Sequence, residues 1–336
     1  MQTMKAWLYN TTTGGLEKNL YLPTLAPKPQ LISPNQILVE VISMGLNPTD
    51  YKIPELGLVA KAVIPTPASP GLDFCGRVAA TGNTVDSLRI GELVWGRLDG
   101  PTRHGTLGQF VIASATGCVP LPDGVDPDQA AGLASAGITA YQSIVPNVKK
   151  GDRVFINGGS GGTGIFGIQI AKIKGCHVTT TCSAANMELC KSLGADEVID
   201  YTSVDVCQAL KEKGEVFGLA VDNVGAPADL YKASSSFLLP LGKFVQVGAE
   251  VSWGATATVM SNFMVPSFLG GGKRKYEFIS VKNKYEDLNE LATWLKEGKL
   301  KSVIDSAFEF EDAPKAFEKL KKGRAKGKIV VHVTKL

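Results

Sequence analysis

The sequence predicts an α/β protein in two parts, a β-rich lobe followed by a doubly wound parallel-sheet domain. Three observations carry that expectation. The first 126 residues are rich in Gly and Pro and hold short β-type runs with no long helical period. From Pro127 the texture becomes an alternation of strand and helix at the spacing of a parallel sheet. The first strand of that alternation ends in a run of glycines that opens directly into an apolar helix.

Taken in order, residues 36–44, 73–80 and 108–113 read as strands of the first lobe, separated by turn clusters. Residues 128–144 read as a helix with small residues on one side. After the turn 149–152 come a short buried strand at 153–157, the glycines, and an apolar helix at 165–174. The alternation repeats as strand 177–182, helix 186–193, strand 197–199, helix 204–213, strand 218–221, helix 228–237 and strand 243–247. A glycine and basic loop at 270–276 precedes strand 277–281, helix 285–297, a strand near 306–310, helix 312–321 and a last strand at 329–333. That final strand suits a β-rich neighbour, so the tail is expected to return to the first lobe. The expected domains are therefore 1–126 with 270–336, and 127–269.

Composition narrows the function. With 44% hydrophobic and 20% charged residues the chain is an ordinary globular one, and no stretch is apolar for the roughly 18 residues a membrane span needs. A net charge of +3 is small, and outside 273–275 and 319–328 the basic residues are scattered, which argues against nucleic acid. The amino-terminal residues enter a strand-like alternation without a signal or transit pattern, so a cytoplasmic protein is expected. Six cysteines form no CxxC pair and are expected to be small buried apolar residues.

The sharpest local signal is RVFINGGSGGTGIFG at 153–167, where Gly159, Gly161 and Gly164 satisfy G-x-G-x-x-G. Between a strand and a helix that spacing has a physical meaning. One glycine makes the turn, one lets backbone N–H groups approach a pyrophosphate, and one lets helix and strand pack closely. Ser160, Gly162 and Thr163 complete the turn. NAD sites place an acid about 20 residues on to bond the ribose 2′-OH. Here the run is Thr179 to Ser183 with no carboxylate, while Ser183, Asn186, Lys191 and Tyr201 could receive a 2′-phosphate, so NADPH is the expected cofactor. Two alternatives stay open: Ser183 as a helix cap, and Lys191 as a solvated charge.

Further stretches belong with this turn: NPTDYK at 47–52, GLDFCGRV at 71–78, GELVWG at 91–96, AGITAYQ at 136–142, SLGADEVIDY at 192–201 and GRAKGKIVV at 323–331. In that order they make the chain resemble the zinc-independent quinone oxidoreductase and enone or enoyl reductase branch of the medium-chain dehydrogenase/reductase superfamily. The resemblance spans nearly the whole chain. It implies a GroES-like catalytic domain, an inserted Rossmann domain and an active site in the cleft between them. Zinc alcohol dehydrogenases of the superfamily carry a cysteine where this chain has Asn47, Gly-His-Glu where it has Gly71-Leu72-Asp73, and a cysteine near Ser135 or Ala136. A catalytic zinc needs three such ligands, so no metal is expected.

Without a metal, the expected chemistry is hydride delivery to an activated C=C bond or a quinone, with donors meeting the charge that develops on oxygen. The resemblance puts Asn47 near the nicotinamide, Asp50 and Lys52 in the cleft and Thr139 under the ring. It also implies cofactor contacts from Pro48, Asn223, Val224, Val247, Gly248 and Lys328. Lys52 is expected to stabilise the oxyanion, or alternatively to form a salt bridge with Asp50 or another acid that shapes the loop. Many relatives have tyrosine at Lys52 and at Trp95, so the proton donor stays open, with Trp95 as an apolar wall, His104 as a lesser candidate and solvent as a third. The expected partner is a small enone, enal or quinone, the protein being a monomer or homodimer. The alternative is an enoyl reductase acting in trans on a carrier-bound chain of a synthase. A third possibility is a protein that binds NADPH without turnover.

Overall fold

The computed structural model describes residues 2–31, 33–248 and 272–335. The expected domain boundary at 269/270 lies outside the described residues. The chain divides into two compact units, Met1–Ile138 with Lys282–Leu336, and Thr139–Val281.

In the first unit β1 (Thr3–Met4) and β2 (Ala26–Pro27) form a small antiparallel pair. The main sheet is built on β3 (Gln36–Gly45), which pairs antiparallel with β4 (Asp73–Thr81) and, further along, with β6 (Phe110–Ser114). Next to β4 come β5 (Leu93–Arg97) and β7 (Cys118–Pro120). Strand β3 is apolar nearly throughout, and Ile37, Val39 and Val41 are fully buried in the core of this unit. The lobe also holds the short helices Thr49–Lys52 and Leu58–Val63, which the Gly and Pro texture had hidden.

Among the described residues the second unit is a six-stranded parallel sheet. Its strands are β8 (Arg153–Asn157), β9 (His177–Cys182), β10 (Glu197–Asp200), β11 (Phe217–Asp222), β12 (Leu238–Gln246) and β13 (Lys275–Phe278). The order β10-β9-β8-β11-β12-β13 reverses direction at β8, the topology that places ligands at the carboxyl ends of the strands. Phe155, Phe217 and Phe237 meet in tilted and edge-on pairs in its core. The helix expected at 228–237 is only Leu230–Ala233 followed by a 3-10 turn, Ser234–Ser236. Three consecutive serines offer the backbone competing hydrogen bonds and end the helix early.

The chain then returns to the first unit with the helix Tyr285–Lys296, β14 (Ile304–Glu309), the helix Ala313–Lys321 and β15 (Lys328–His332). As expected of the tail, β15 lies antiparallel to β3, with Val330 opposite Gly45. Strand β13 departs from that expectation. It continues the parallel sheet beside β12, Lys243 opposite Lys275 and Gln246 opposite Phe278, so the return falls after Val281 and not at 270. At the other boundary, the first twelve residues of the helix Pro127–Ile144 belong to the first unit rather than to the second.

Candidate functional site

In the first unit, four separate elements deliver polar side chains to one buried place. Strand β3 ends at Gly45 and hands Leu46 and Asn47 to the helix Thr49–Lys52. The Asp50 carboxyl group reaches back to accept from the Asn47 backbone N–H at 2.7 Å, as the acid of a capping box does. Strand β15 runs alongside, and Leu46 N–H donates to Ile329 O at 2.9 Å, which sets Lys328 beside Asn47. Asp73 opens β4 opposite Arg97 of β5. The helix Pro127–Ile144 contributes Ser135. It comes this close because Gly45 has no side chain; a Cβ there would strike the Ala131 carbonyl.

The Lys328 ammonium donates to Asn47 Oδ1 at 2.6 Å and to Leu46 O at 2.9 Å. Asn47 Nδ2 donates to Asp73 Oδ2 at 2.8 Å, and the Ser135 N–H donates to the same oxygen at 3.0 Å. The Ser135 hydroxyl takes the other Asp73 oxygen and itself accepts from Arg97 Nε at 3.1 Å. Asn47, Asp50, Asp73 and Lys328 are all buried. Burial pushes Asp50 up to about 8, and the neighbouring Asp73 adds to the rise while the Asn47 N–H, Lys328 and Arg97 oppose it. Burial lowers Lys328, and the two aspartates oppose that fall.

Of the other expected residues here, Lys52 is half-buried at the end of its short helix and Pro48 is exposed. Trp95 is fully buried on β5 between Cys75 and Val119, and its indole N–H has no protein partner, so it is packing and not a surface-facing donor. Burial and Arg103 lower His104, which disfavours its charged, proton-donating form. Lys328, expected at the cofactor, is the cation of this cluster. Asp73, Ser135 and Arg97 join it although the sequence motifs did not mark them as functional. The signal available for the first two was that they fill places where zinc relatives keep ligands. Among the described residues no group of three or more His, Cys, Asp or Glu side chains is gathered as a metal would need.

In the second unit, the turn after β8 begins at Gly158, whose φ of 82° suits glycine. Gly158 N–H donates to Thr181 Oγ1 at 2.8 Å, and Gly159 N–H to Thr181 O at 2.9 Å. A Cβ on Gly159 would strike Thr180, and one on Gly164 would strike the Gly158 carbonyl. Gly161 differs. A Cβ there would meet only Gly158 O at an ordinary 3.5 Å, so the side of the turn left open by its missing side chain faces free space. The helix Gly164–Ile173 starts from this turn, and the positive end of its dipole favours an anion there.

Around the turn stand most of the expected cofactor residues. Asn186 Nδ2 donates to Ser160 Oγ at 3.2 Å, leaving Asn186 Oδ1 without a protein partner. Ser183 makes no capping bond, and Tyr201 is exposed with its backbone N–H on Cys182 O. Lys191 sits in an exposed pair with Glu188 at 3.1 Å, in keeping with a solvated charge. Asn223 Nδ2 donates to Asn157 O at 3.1 Å, and Val247 and Gly248 both donate through N–H to Asp222 O. Val224 lies against Gly158, within reach of the Cβ that glycine lacks. Beneath them a buried ladder ties four strand ends together: Thr181 to Asn157, Asn157 to Asp222, and Gln246 to Asp222, at 2.6, 2.8 and 3.0 Å. Thr139 is half-buried where the second unit begins. A glycine turn with an open face at a helix N-terminus fits the pyrophosphate of a nicotinamide dinucleotide.

Two family models match the chain, an alcohol dehydrogenase GroES-like domain over residues 33–123 and a zinc-binding dehydrogenase domain over residues 193–331. The trans-enoyl reductase pgmF of Aspergillus terreus is 49% identical, over 98% of this chain and 96% of its own length. This chain belongs to the medium-chain dehydrogenase/reductase family. A zinc-type alcohol dehydrogenase-like protein of Schizosaccharomyces pombe is 36% identical over 98% of the chain and 96% of its own length. The quinone oxidoreductase of Coxiella burnetii superposes with a TM-score of 0.85 at 31% identity, covering 99% of this chain and 100% of that one. Within the family the chain falls in the quinone oxidoreductase and enoyl reductase branch, an oxidoreductase of the nicotinamide-dependent kind with a GroES-like domain and a Rossmann sheet.

Proposed function

We propose that this protein uses NADPH, without a metal, to reduce the C=C bond of an α,β-unsaturated carbonyl compound, and that its substrate is an enoyl thioester carried by a partner synthase. The observation that carries the reading is the cluster around Lys328. Where zinc-using relatives carry a cysteine, Gly-His-Glu and a second cysteine, this chain has Asn47, Gly71-Leu72-Asp73 and Ser135 or Ala136; Asn47, Asp73 and Ser135 are already linked by hydrogen bonds, and Asn47 also accepts from a buried ammonium. An amide, a hydroxyl and one carboxylate so engaged are a poor zinc set, and the ammonium supplies the positive charge instead.

When bound, NADPH supplies a hydride from its nicotinamide C4. The residues of the turn 158–164 hold its pyrophosphate, while Ser183, Asn186 and Tyr201 receive the 2′-phosphate. The Lys52 ammonium meets the substrate oxygen as negative charge gathers there. The fixed Lys328 cation acts through Asn47, lending a positive field without reorganising. Solvent returns the proton to the α-carbon.

The 49% identity with a trans-enoyl reductase along nearly the whole chain favours the carrier-bound substrate over free enones and quinones, which remain an overlapping class. The test is NADPH consumption by chelator-treated protein with an enoyl-pantetheine thioester, a matched enone, a quinone and a saturated aldehyde. Turnover of the thioester and not the aldehyde supports the reading. Turnover of the aldehyde alone, or activity restored only by zinc, contradicts it.

A further inference from the structure

Asp50 has a second side that the cluster does not use. Its Oδ2 accepts from Asn47, but Oδ1 is buried with no protein partner. The hydroxyl of Ser69, a residue 2% exposed, is likewise buried and unpartnered. Both residues line one small cavity in the first unit, together with Tyr9, Thr49 and Thr102. The space open to the centre of a water-sized sphere there is about 10 Å³, at the lower limit for one water and far too small for an organic ligand. If left dry, both polar groups would forgo the hydrogen bonds that water gives them in the unfolded chain.

We propose that this cavity is a water site: one molecule bridges Asp50 Oδ1 and Ser69 Oγ and links the Asp50 carboxyl group to solvent, making Asp50 a titrating positioning residue for Asn47. Because Oδ2 is committed to the Asn47 N–H, the proton of the neutral acid sits on Oδ1 and is donated to the water, which donates in turn to Ser69. On ionisation the O–H bond of the acid breaks and its proton leaves through this water. Burial raises the carboxyl group into the range where that exchange occurs near neutral pH. The ionisable groups facing Asp50 come from each element packed on it: Asp73 from β4, Arg97 from β5, Lys328 from β15 and Tyr9 from the amino-terminal segment. Ionised Asp50 puts a second carboxylate beside Asp73, and the hold of Lys328 on Asn47 changes with it.

This inference deepens the proposed function, but its first two tests need neither cofactor nor turnover, so its failure is separable from failure of that reading. A crystal structure of the wild-type protein at pH 6, at a resolution that orders water, is expected to show one peak within about 2.6–3.2 Å of both oxygens. A dry cavity overturns the proposal. So does a peak ringed by six or more oxygens at about 2.4 Å, which is a bound cation. Carboxyl-carbon NMR of the wild-type protein is expected to find Asp50 titrating well above the usual aspartate midpoint of about 3.9. A midpoint at that value overturns it. The pH profile of kcat is expected to show a step between about pH 6 and 9 in wild type that is lost in the Asp50→Asn variant, while KM moves little. An unchanged step in a folded variant overturns the positioning role.

Discussion

Lys328 is a single buried cation serving two aspartates and one amide. Replacing it with methionine keeps the volume but removes the buried ammonium, leaving Arg97 as the cation acting on the two aspartates. Lys328→Met is expected to lose about 3 kcal/mol of stability in urea denaturation at pH 8, the cost of breaking a buried charge arrangement. A loss under about 1 kcal/mol at that pH means the cluster is held by its hydrogen bonds alone. The choice of NADPH over NADH also belongs to single residues. Ser183→Asp places a carboxylate where the 2′-phosphate is held, and it is expected to weaken NADPH binding by about tenfold or more, about 1.4 kcal/mol, while leaving NADH unaffected. Equal losses for both cofactors, measured by fluorescence titration, would place the 2′-phosphate elsewhere. The turn was legible at this scale because its glycines lie within six residues of one another, Gly159 to Gly164. The Lys328 cluster was not, since 47, 73, 97, 135 and 328 meet only once the strands are ordered.

The elements carry different constraints through similar residues. Gly164 opens its helix against the Gly158 carbonyl, so Gly164→Ala forces the turn to shift and is expected to lower both melting temperature and NADPH affinity. Gly161 has only ordinary contact beside it, so Gly161→Ala is expected to leave melting unchanged and still weaken NADPH about tenfold, because the new methyl group occupies the phosphate's approach. Differential scanning fluorimetry with and without NADPH separates the two. If both variants bind as wild type, the turn does not hold a pyrophosphate. Strand β15 is clamped by His332, whose Nε2 lies 2.9 Å from Asp128 and whose Nδ1 lies 3.3 Å from Glu309. Hydrogen bonds to Asp128 and then Glu309 raise this histidine above its usual 6.5 against the effect of partial burial. A raised folded value favours the protonated form in the native state. Its contribution to stability is therefore complete below pH 6.5 and fades as pH rises through the folded value. His332→Asn is expected to flatten the fall in chemical stability above pH 6.5, and a slope unchanged from wild type would deny the clamp its charge.

Across the whole molecule, the order of strands and helices after 127 was readable because helices and strands there each bury a face with its own period. What eluded the reading was where the chain leaves one unit for the other. Strand β13 carries no mark distinguishing it from the returning strands, and only its pairing with β12 assigns it to the parallel sheet. The cluster around Lys328 lay between these extremes. Its letters stood in the sequence at 47, 73 and 135, but their mutual hydrogen bonding and the ammonium among them required the fold. Isotope transfer tests hydride delivery to the C=C bond most directly. Chelator-treated protein is given NADPH deuterated at the transferable nicotinamide position together with an enoyl-pantetheine thioester, and the product is read by mass spectrometry and NMR. The account predicts one deuterium on the β-carbon and none on the carbonyl carbon. Deuterium at the carbonyl carbon, or transfer only after zinc is restored, would contradict it.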